Sequence, residues 1–409
     1  MSTQVSARSG FGYTLVALVL CQLGLHACMH GMRLSIPLQA LSIGYTPMTV
    51  GFLVALFAIV PAVLSITFGR FTDHAGYHSP VRLAAGLSII AGISLALSDS
   101  LFALCLGAAC SGAGSGFGMI AIQRTVSRMA TSSSMRLQGF SWVALAPSAA
   151  GLLGPLLGGS LIDLYGYRYA FAALGCLPLI TLIASNWVPI QAPSHAEGGH
   201  SRQRDRLWDL LNDTRMRRLL FINWVVVASW DAHGFVIPIL GHERGYSATA
   251  VGGIFAAFGV ASVFVRLVIP LTSKWLSSRM LMTYSVTLAA VVFGIYPLLK
   301  PVFAMGMCAF AFGLALGSVQ PAILTTLHDV TPGNRHGEAL ALRSTFSQSS
   351  MLAMPLLFGA LGASVGAPVL LWIMAVFLGF GSWQVQCLFS STECKGDAEN
   401  LTESQKRKT

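Results

Sequence analysis

Twelve times along the chain, about twenty mostly apolar residues run on before a polar break. A helix of that length crosses a hydrocarbon core of about 30 Å. Lipid offers no partner to a backbone amide, so such a run can only be helical. The runs lie at 12–39, 47–69, 82–98, 101–123, 139–161, 169–188, 218–240, 248–271, 280–299, 301–326, 338–361 and 367–389. Only 10% of the 409 residues are charged, where a soluble protein carries about a quarter. The expected fold is therefore an all-α membrane protein of twelve transmembrane helices. No cleavage site follows a short apolar core near the start, so the first run reads as a retained helix.

The basic residues orient it. With the N-terminus inside, twenty Lys and Arg fall on cytoplasmic segments, and only Arg33, Arg168, Arg244 and Lys300 fall outside. This accounts for the net charge of +10 without a nucleic-acid partner. Both termini are expected in the cytoplasm, at the cell membrane. Cys21, Cys28, Cys105, Cys110, Cys176 and Cys308 lie in spans, Cys387 at the end of one and Cys394 in the tail, which suits packing rather than disulfides.

A polar stretch divides six spans from six. The expected organisation is a first bundle at 1–189, a cytoplasmic linker at 190–217, a second bundle at 218–390 and a disordered tail at 391–409. From Asp205 the linker suits an amphipathic helix with Leu207, Trp208, Leu210 and Leu211 on one face.

The halves repeat. A shift of 201 residues lays "IPLQALSIGYTPMTVGFLVALFA" on "IPILGHERGYSATAVGGIFAAFG", with eight identities in 23 positions, among them Pro37/Pro238, Gly44/Gly245 and Gly51/Gly252. "PLLGG" at 155–159 likewise matches "PLLFG" at 355–359. Both halves start on one side of the membrane, so the repeat is parallel and implies two six-helix bundles around a midplane site.

Within this frame "GRFTDHAGYHS" resembles the cytoplasmic signature of the major facilitator superfamily through Gly69, Asp73 and Gly76, with His74, Tyr77 and His78 where that family prefers arginines. "AGLLGPLLGGSLIDLYGYRYAF" resembles the antiporter motif of its drug:proton branch through Gly154, Pro155, Gly158 and Gly159, with Ala150 replacing the first glycine. The resemblance implies the major facilitator fold, alternating access, and a role for Asp73 in holding the bundles together by charge. The branch's usual fourth-span arginine is missing from "LGAACSGAGSGFGMI", so any proton coupling must use other residues.

Those residues are sought among intramembrane polar groups, which usually face a bundle interior or a water-filled cavity. The shift of 201 places His30 at the depth of Asp231, and the two are expected to face one another and titrate as a coupled unit. Histidine is suited to this because its charge changes close to neutral pH. His26 and His233 complete the proton-coupling candidates. The substrate-cavity candidates are Arg33, Trp142, Asn223, Trp230, Arg266, Gln320, Arg343 and Gln348; Trp230, Trp142 and Phe258 suit apolar packing first, with an aromatic cavity wall as the alternative. No cofactor or metal site is expected: neither a Walker pattern nor a His-Glu-x-x-His motif occurs.

The leading expectation is a monomeric secondary carrier that exports a small organic compound in exchange for protons. Uptake of an organic anion together with protons is the alternative, followed by a transporter-like receptor. A membrane enzyme comes last.

Overall fold

Polar breaks and helix-capping residues decide where the helices end. In the computed structural model, residues 2–129, 133–189, 208–272, 277–331 and 335–406 are described. Among them there is helix but no strand. The first half comprises α1 (Ser2–Ile43), α2 (Pro47–Ala75), α3 (His78–Leu97), α4 (Leu101–Met129), α5 (Ser133–Tyr165) and α6 (Tyr167–Ser185). α6 is interrupted at Leu177, ahead of Pro178, which has no amide hydrogen to continue the ladder. The second half comprises α7 (Thr214–Glu243), α8 (Ala248–Thr272), α9 (Ser278–Ile295), α10 (Val302–Val330), α11 (His336–Val365) and α12 (Ala367–Lys406).

Eleven of these helices are long and apolar enough to cross a membrane by length and composition. The other is α11, 30 residues long, whose apolar run is diluted by Arg343, Ser344, Thr345 and the segment 347–350.

The two halves pack alike. α1 lies against α4, α5 and α6, and α2 and α3 lie against α4. In the second half α7 lies against α10, α11 and α12, and α8 and α9 lie against α10. The repeat is visible even in the turns. Gly44 and Gly245 both adopt positive φ, at 101° and 68°. The amide of Tyr45 donates to Ala40 O, and that of Tyr246 to Gly241 O, both at 2.9 Å. Glycine is required there because a Cβ disfavours the left-handed region.

Three larger contacts join the bundles, α5 with α8, α2 with α11 and α1 with α7, with slighter ones of α1 with α8 and α2 with α7. The first two are related by the repeat and rest on glycine. A Cβ on Gly252 would lie 2.5 Å from the carbonyl oxygen of Pro155, and one on Gly51 would collide with that of Pro355. Gly159 abuts Ala248, while a Cβ on Gly359 would lie 3.0 Å from the Gly51 Cα. Small residues let helix backbones approach closely where lipid gives no hydrophobic drive.

Two expectations are corrected. The tail beyond residue 390 continues α12 as helix to Lys406. "ECKGDAENLTESQK" contains no proline and is rich in helix formers, so an established helix propagates through it at low cost. From Trp208 the linker forms a short 3₁₀ turn, Trp208–Asn212, and not an amphipathic α-helix. Asp213 then caps α7, its carboxylate accepting from the Arg215 amide at 2.8 Å. Residues 190–207, including Asp205 and Leu207, lie outside the described residues.

Candidate site at the bundle interface

Near the middle of the molecule the bundles leave a cavity of about 690 Å³, its mouth included. α1 lines it with His30, Arg33 and Leu34; α5 with Pro147, Ser148, Gly151 and Pro155. On the other side stand Trp230, His233 and Gly234 of α7 and Phe255, Phe258, Gly259 and Ser262 of α8. Four helices, two from each bundle, thus enclose one space.

Behind its wall Arg33 Nη2 donates to Asp231 Oδ1 at 3.2 Å, and Ser350 Oγ donates to Asp231 Oδ2 at 3.3 Å. Asp231 is 2% exposed and is therefore cut off from water. The expected His30–Asp231 pair is corrected by this geometry. The carboxylate is bound by Arg33, one turn beyond His30 on α1, while His30 faces the cavity. A guanidinium is a permanent cation with several fixed donors, so it compensates a buried carboxylate better than an imidazole can. The repeat located the right helices and depth, and the longer side chain took the contact.

His26 leaves the candidate cavity altogether. It is buried within the first bundle, bonded to the Gln22 carbonyl at 3.2 Å and near the Gln22 amide at 3.4 Å. His233 sits on the cavity wall in a cage of rings. Phe255, Phe258 and Phe312 have centroids 5.3, 5.3 and 5.2 Å away, and Tyr296 OH lies 3.3 Å from His233 Nε2. Tyr296 donates its own proton to Met305 O at 3.1 Å, so its oxygen accepts from His233. That assigns the Nε2–H tautomer to a neutral His233. Trp230 packs edge-on against Phe258 at 4.7 Å, forming the aromatic wall; Trp142, half-exposed on α5, does not line the cavity.

Arg266 Nη1 donates across the interface to Ser148 Oγ at 2.6 Å. Arg343, Asn223 and Gln320 form a separate cluster. Arg343 Nε donates to Asn223 Oδ1 at 2.9 Å, Arg343 Nη2 donates to Gln320 Oε1, and Asn223 Nδ2 donates to Ser347 Oγ at 3.0 Å. Gln348 is exposed on α11 and takes no part in it.

The gating residues divide by bundle. Asp73 binds Arg124 Nε at 2.6 Å, and Arg124 also reaches the carbonyls of Thr72 and Asp73. That pair joins α2 to α4 within the first bundle, and its basic partner comes from α4 rather than from positions 74, 77 and 78. Gly69 meets no neighbour that a Cβ would touch, and Gly76 turns the chain at φ 74°. Gly154, Pro155, Gly158 and Gly159 act on two faces of α5. Cβ atoms on Gly154 and Gly158 would lie 2.6 Å from Ala27 O and 3.0 Å from Ser35 Oγ of α1. Pro155 and Gly159 meet α8 of the other bundle.

Sequence reasoning missed Asp163, which follows that motif. Its carboxylate accepts from the amides of Ala248 at 3.0 Å and Thr249 at 2.7 Å, capping α8 from the opposite bundle. Ser247 caps the Ala250 amide at 3.2 Å. The signal was legible: α2 begins with Pro47, which has one amide fewer to satisfy, while its repeat partner Ala248 has an amide that needs an acceptor. Ser350 was missed too, being one of many α11 serines with no pattern to single it out.

Comparison with known proteins agrees with the architecture. A family model described as Major Facilitator Superfamily matches residues 18–312 and 219–407. Multidrug resistance protein 2 of Bacillus subtilis (strain 168) is 23% identical over 349 residues, covering 81% of this chain and 85% of that protein. Quinolone resistance protein NorA of Staphylococcus aureus (strain MRSA252) is 21% identical over 342 residues, covering 82% and 86%. Among solved structures, a POT family transporter in complex with a thioalcohol-conjugated peptide superposes with TM-score 0.75 at 14% identity, over 92% of this chain and 96% of that one. A bacterial homolog of the human lysosomal transporter Spinster, inward-facing and unoccupied, gives TM-score 0.70 at 14% identity, over 93% and 97%.

Proposed function

The chain belongs to the major facilitator superfamily and is a multi-pass membrane transporter rather than an enzyme, and from that premise we propose that it exports a small organic compound in exchange for protons. The observation that carries the coupling is the Arg33–Asp231 pair, which spans the two bundles at the cavity wall. Protonating Asp231 removes one charge of this pair, leaving Arg33 without its counter-ion and weakening the tie between α1 and α7. A cargo group that competes with the proton for this pair makes substrate and proton mutually exclusive, which is the condition for exchange.

The aromatic wall of Trp230, Phe255 and Phe258 suits a ring-bearing cargo. Export is supported by the names of the two relatives, which concern resistance to drugs and to quinolones. The arginine distribution puts the tight glycine contacts of 51/355 and 159/248 at the outer end, so this arrangement reads as closed outward with both termini in the cytoplasm. Opening outward requires α8 to leave Asp163 and Gly159.

The test is transport of norfloxacin, a quinolone, by sealed proteoliposomes under an imposed pH gradient. Wild-type protein is expected to accumulate drug only with the gradient, and Asp231→Asn to lose that dependence. Gradient-driven accumulation unchanged in Asp231→Asn would sink the proton role.

One observation favours the second reading, uptake of an organic anion with protons. Arg33 lines the cavity, whereas no carboxylate does among the described residues. An anion that takes Arg33 from Asp231 leaves the acid without its cation and so draws a proton in with it. In a weakly buffered suspension, cargo binding then takes up protons, while exchange releases them.

A further inference from the structure

Two helical turns from Asp231 toward the cytoplasmic side lies a second polar cluster that the coupling scheme does not use. Asn223 precedes Asp231 by eight residues on α7, about 12 Å along the axis. Around it gather Arg343 and Ser347 of α11 and Gln320 of α10. The three helices belong to one bundle and pack on each other.

The chemistry of this cluster is unbalanced. Arg343 is half-buried, and both side chains that hold it offer neutral amide oxygens. No ion pair forms at Arg343 among the described residues, in contrast to Arg33 with Asp231 and Arg124 with Asp73. Burying a guanidinium is costly unless an anion balances it, and neutral amides supply orientation without charge. The two bonds use Nε and one hydrogen of Nη2, which leaves Nη1 and the second Nη2 hydrogen available. Nη1 thus remains as a donor through which a carboxylate can be held by a charge-assisted hydrogen bond. Asn223 is itself fixed by donating to Ser347 Oγ at 3.0 Å, so its amide oxygen is committed to Arg343. The cluster is a cation set in place and lacking an anion.

We propose that Arg343, positioned by Asn223 and Gln320, binds the carboxylate of a small organic solute on the cytoplasmic side of the cavity. This deepens the carrier reading and rests on it: the cargo would carry an acid group and meet Arg343 before reaching Arg33. The site acts as a first station because it lies on the same two helices, α7 and α11, that present Asp231 and Ser350 further in.

The experiment uses the purified full-length protein in non-ionic detergent, with sodium benzoate as probe, benzamide as its neutral isostere, and ionic strength held constant with chloride. Benzoate is expected to raise the thermal midpoint and to bind in equilibrium dialysis; benzamide should do neither. Arg343→Gln is expected to weaken benzoate binding about tenfold or more, as befits loss of charge-assisted hydrogen bonds. Arg343→Lys should retain part of the binding. Gln320→Glu places a carboxylate on the guanidinium without opening a cavity, so it should raise the midpoint of the ligand-free protein while abolishing the benzoate shift. This variant serves if Arg343→Gln does not fold.

Equal benzoate binding in wild type and Arg343→Gln overturns the proposal, as does absence of binding to wild type. Phospholipid phosphorus that co-purifies with wild type and is lost in Arg343→Gln also overturns it, by assigning Arg343 to a lipid headgroup. No proton gradient enters the assay, so failure of proton coupling in vesicles leaves its outcome unaffected.

Discussion

At the scale of single residues, the Arg33–Asp231 pair shows how burial sets the terms. Both side chains are withdrawn from water, at 11% and 3% exposure, and each is tolerated because the other is present. Removing one partner strands a charge, which costs about 3–5 kcal/mol in buried pairs, while replacing both with apolar side chains is often close to neutral. Arg33→Gln alone is therefore expected to lower the thermal midpoint in detergent markedly, and Arg33→Met with Asp231→Leu to recover most of the loss. Equal, additive losses in a double-mutant cycle would refute the coupling of the two residues. The identity of the partner was not legible in the sequence. Both His30 and Arg33 lie on the first helix near the right depth, and only side-chain length and the approach of α7 select between them.

At the scale of elements, α5 is a helix with two working faces. Gly154 and Gly158 seat it on α1 in its own bundle, and Pro155 and Gly159 seat it on α8 in the other. Its end then supplies Asp163 as the cap of α8. A helix cap contributes about 1 kcal/mol, and toward its lower range at an exposed position such as this one. Asp163→Ala should thus shift the population in which α8 is seated on α5 by only a few-fold, seen as faster labelling of a cysteine placed at Ala248, which is buried at that contact. Gly252→Val should act far more strongly, since its side chain cannot fit against Pro155 O; transport is expected to fall to background while the protein still folds. The antiporter-like motif was readable as a close-packing face. That its glycines serve two different partners was not, because spacing of four residues marks a helix face without saying what lies against it.

At the scale of the whole molecule, two related contacts, α2 with α11 and α5 with α8, close one end of the interface. If transport needs these to part, holding them must stop it. Cysteines at Pro47 and Gly362, whose Cβ atoms would lie 3.8 Å apart across the α2–α11 contact, are expected to cross-link under oxidant and abolish transport, with recovery on reduction. Transport that continues through the cross-linked protein would contradict alternating access about this interface. The same architecture explains why membership of the major facilitator superfamily could be read from the chain. The parallel repeat, the Gly-Pro-Gly-Gly run and the loop around Asp73 are local strings, and the family they resemble is the one whose model matches the chain.

The sequence by itself determined the helices, their number and the two-bundle repeat, because an apolar backbone in lipid has one way to satisfy its hydrogen bonds. Pro47, Gly44 and Gly245 likewise declared their turns through constraints internal to a few residues. Tertiary structure alone decided the partners: Arg33 for Asp231, Arg124 for Asp73, Asp163 for the first turn of α8, and two neutral amides for Arg343. Those choices depend on distances of a few ångströms between helices far apart in the chain. Helix-forming tendency and periodicity describe one helix at a time, and a buried charge is settled only by the neighbour that folding brings to it.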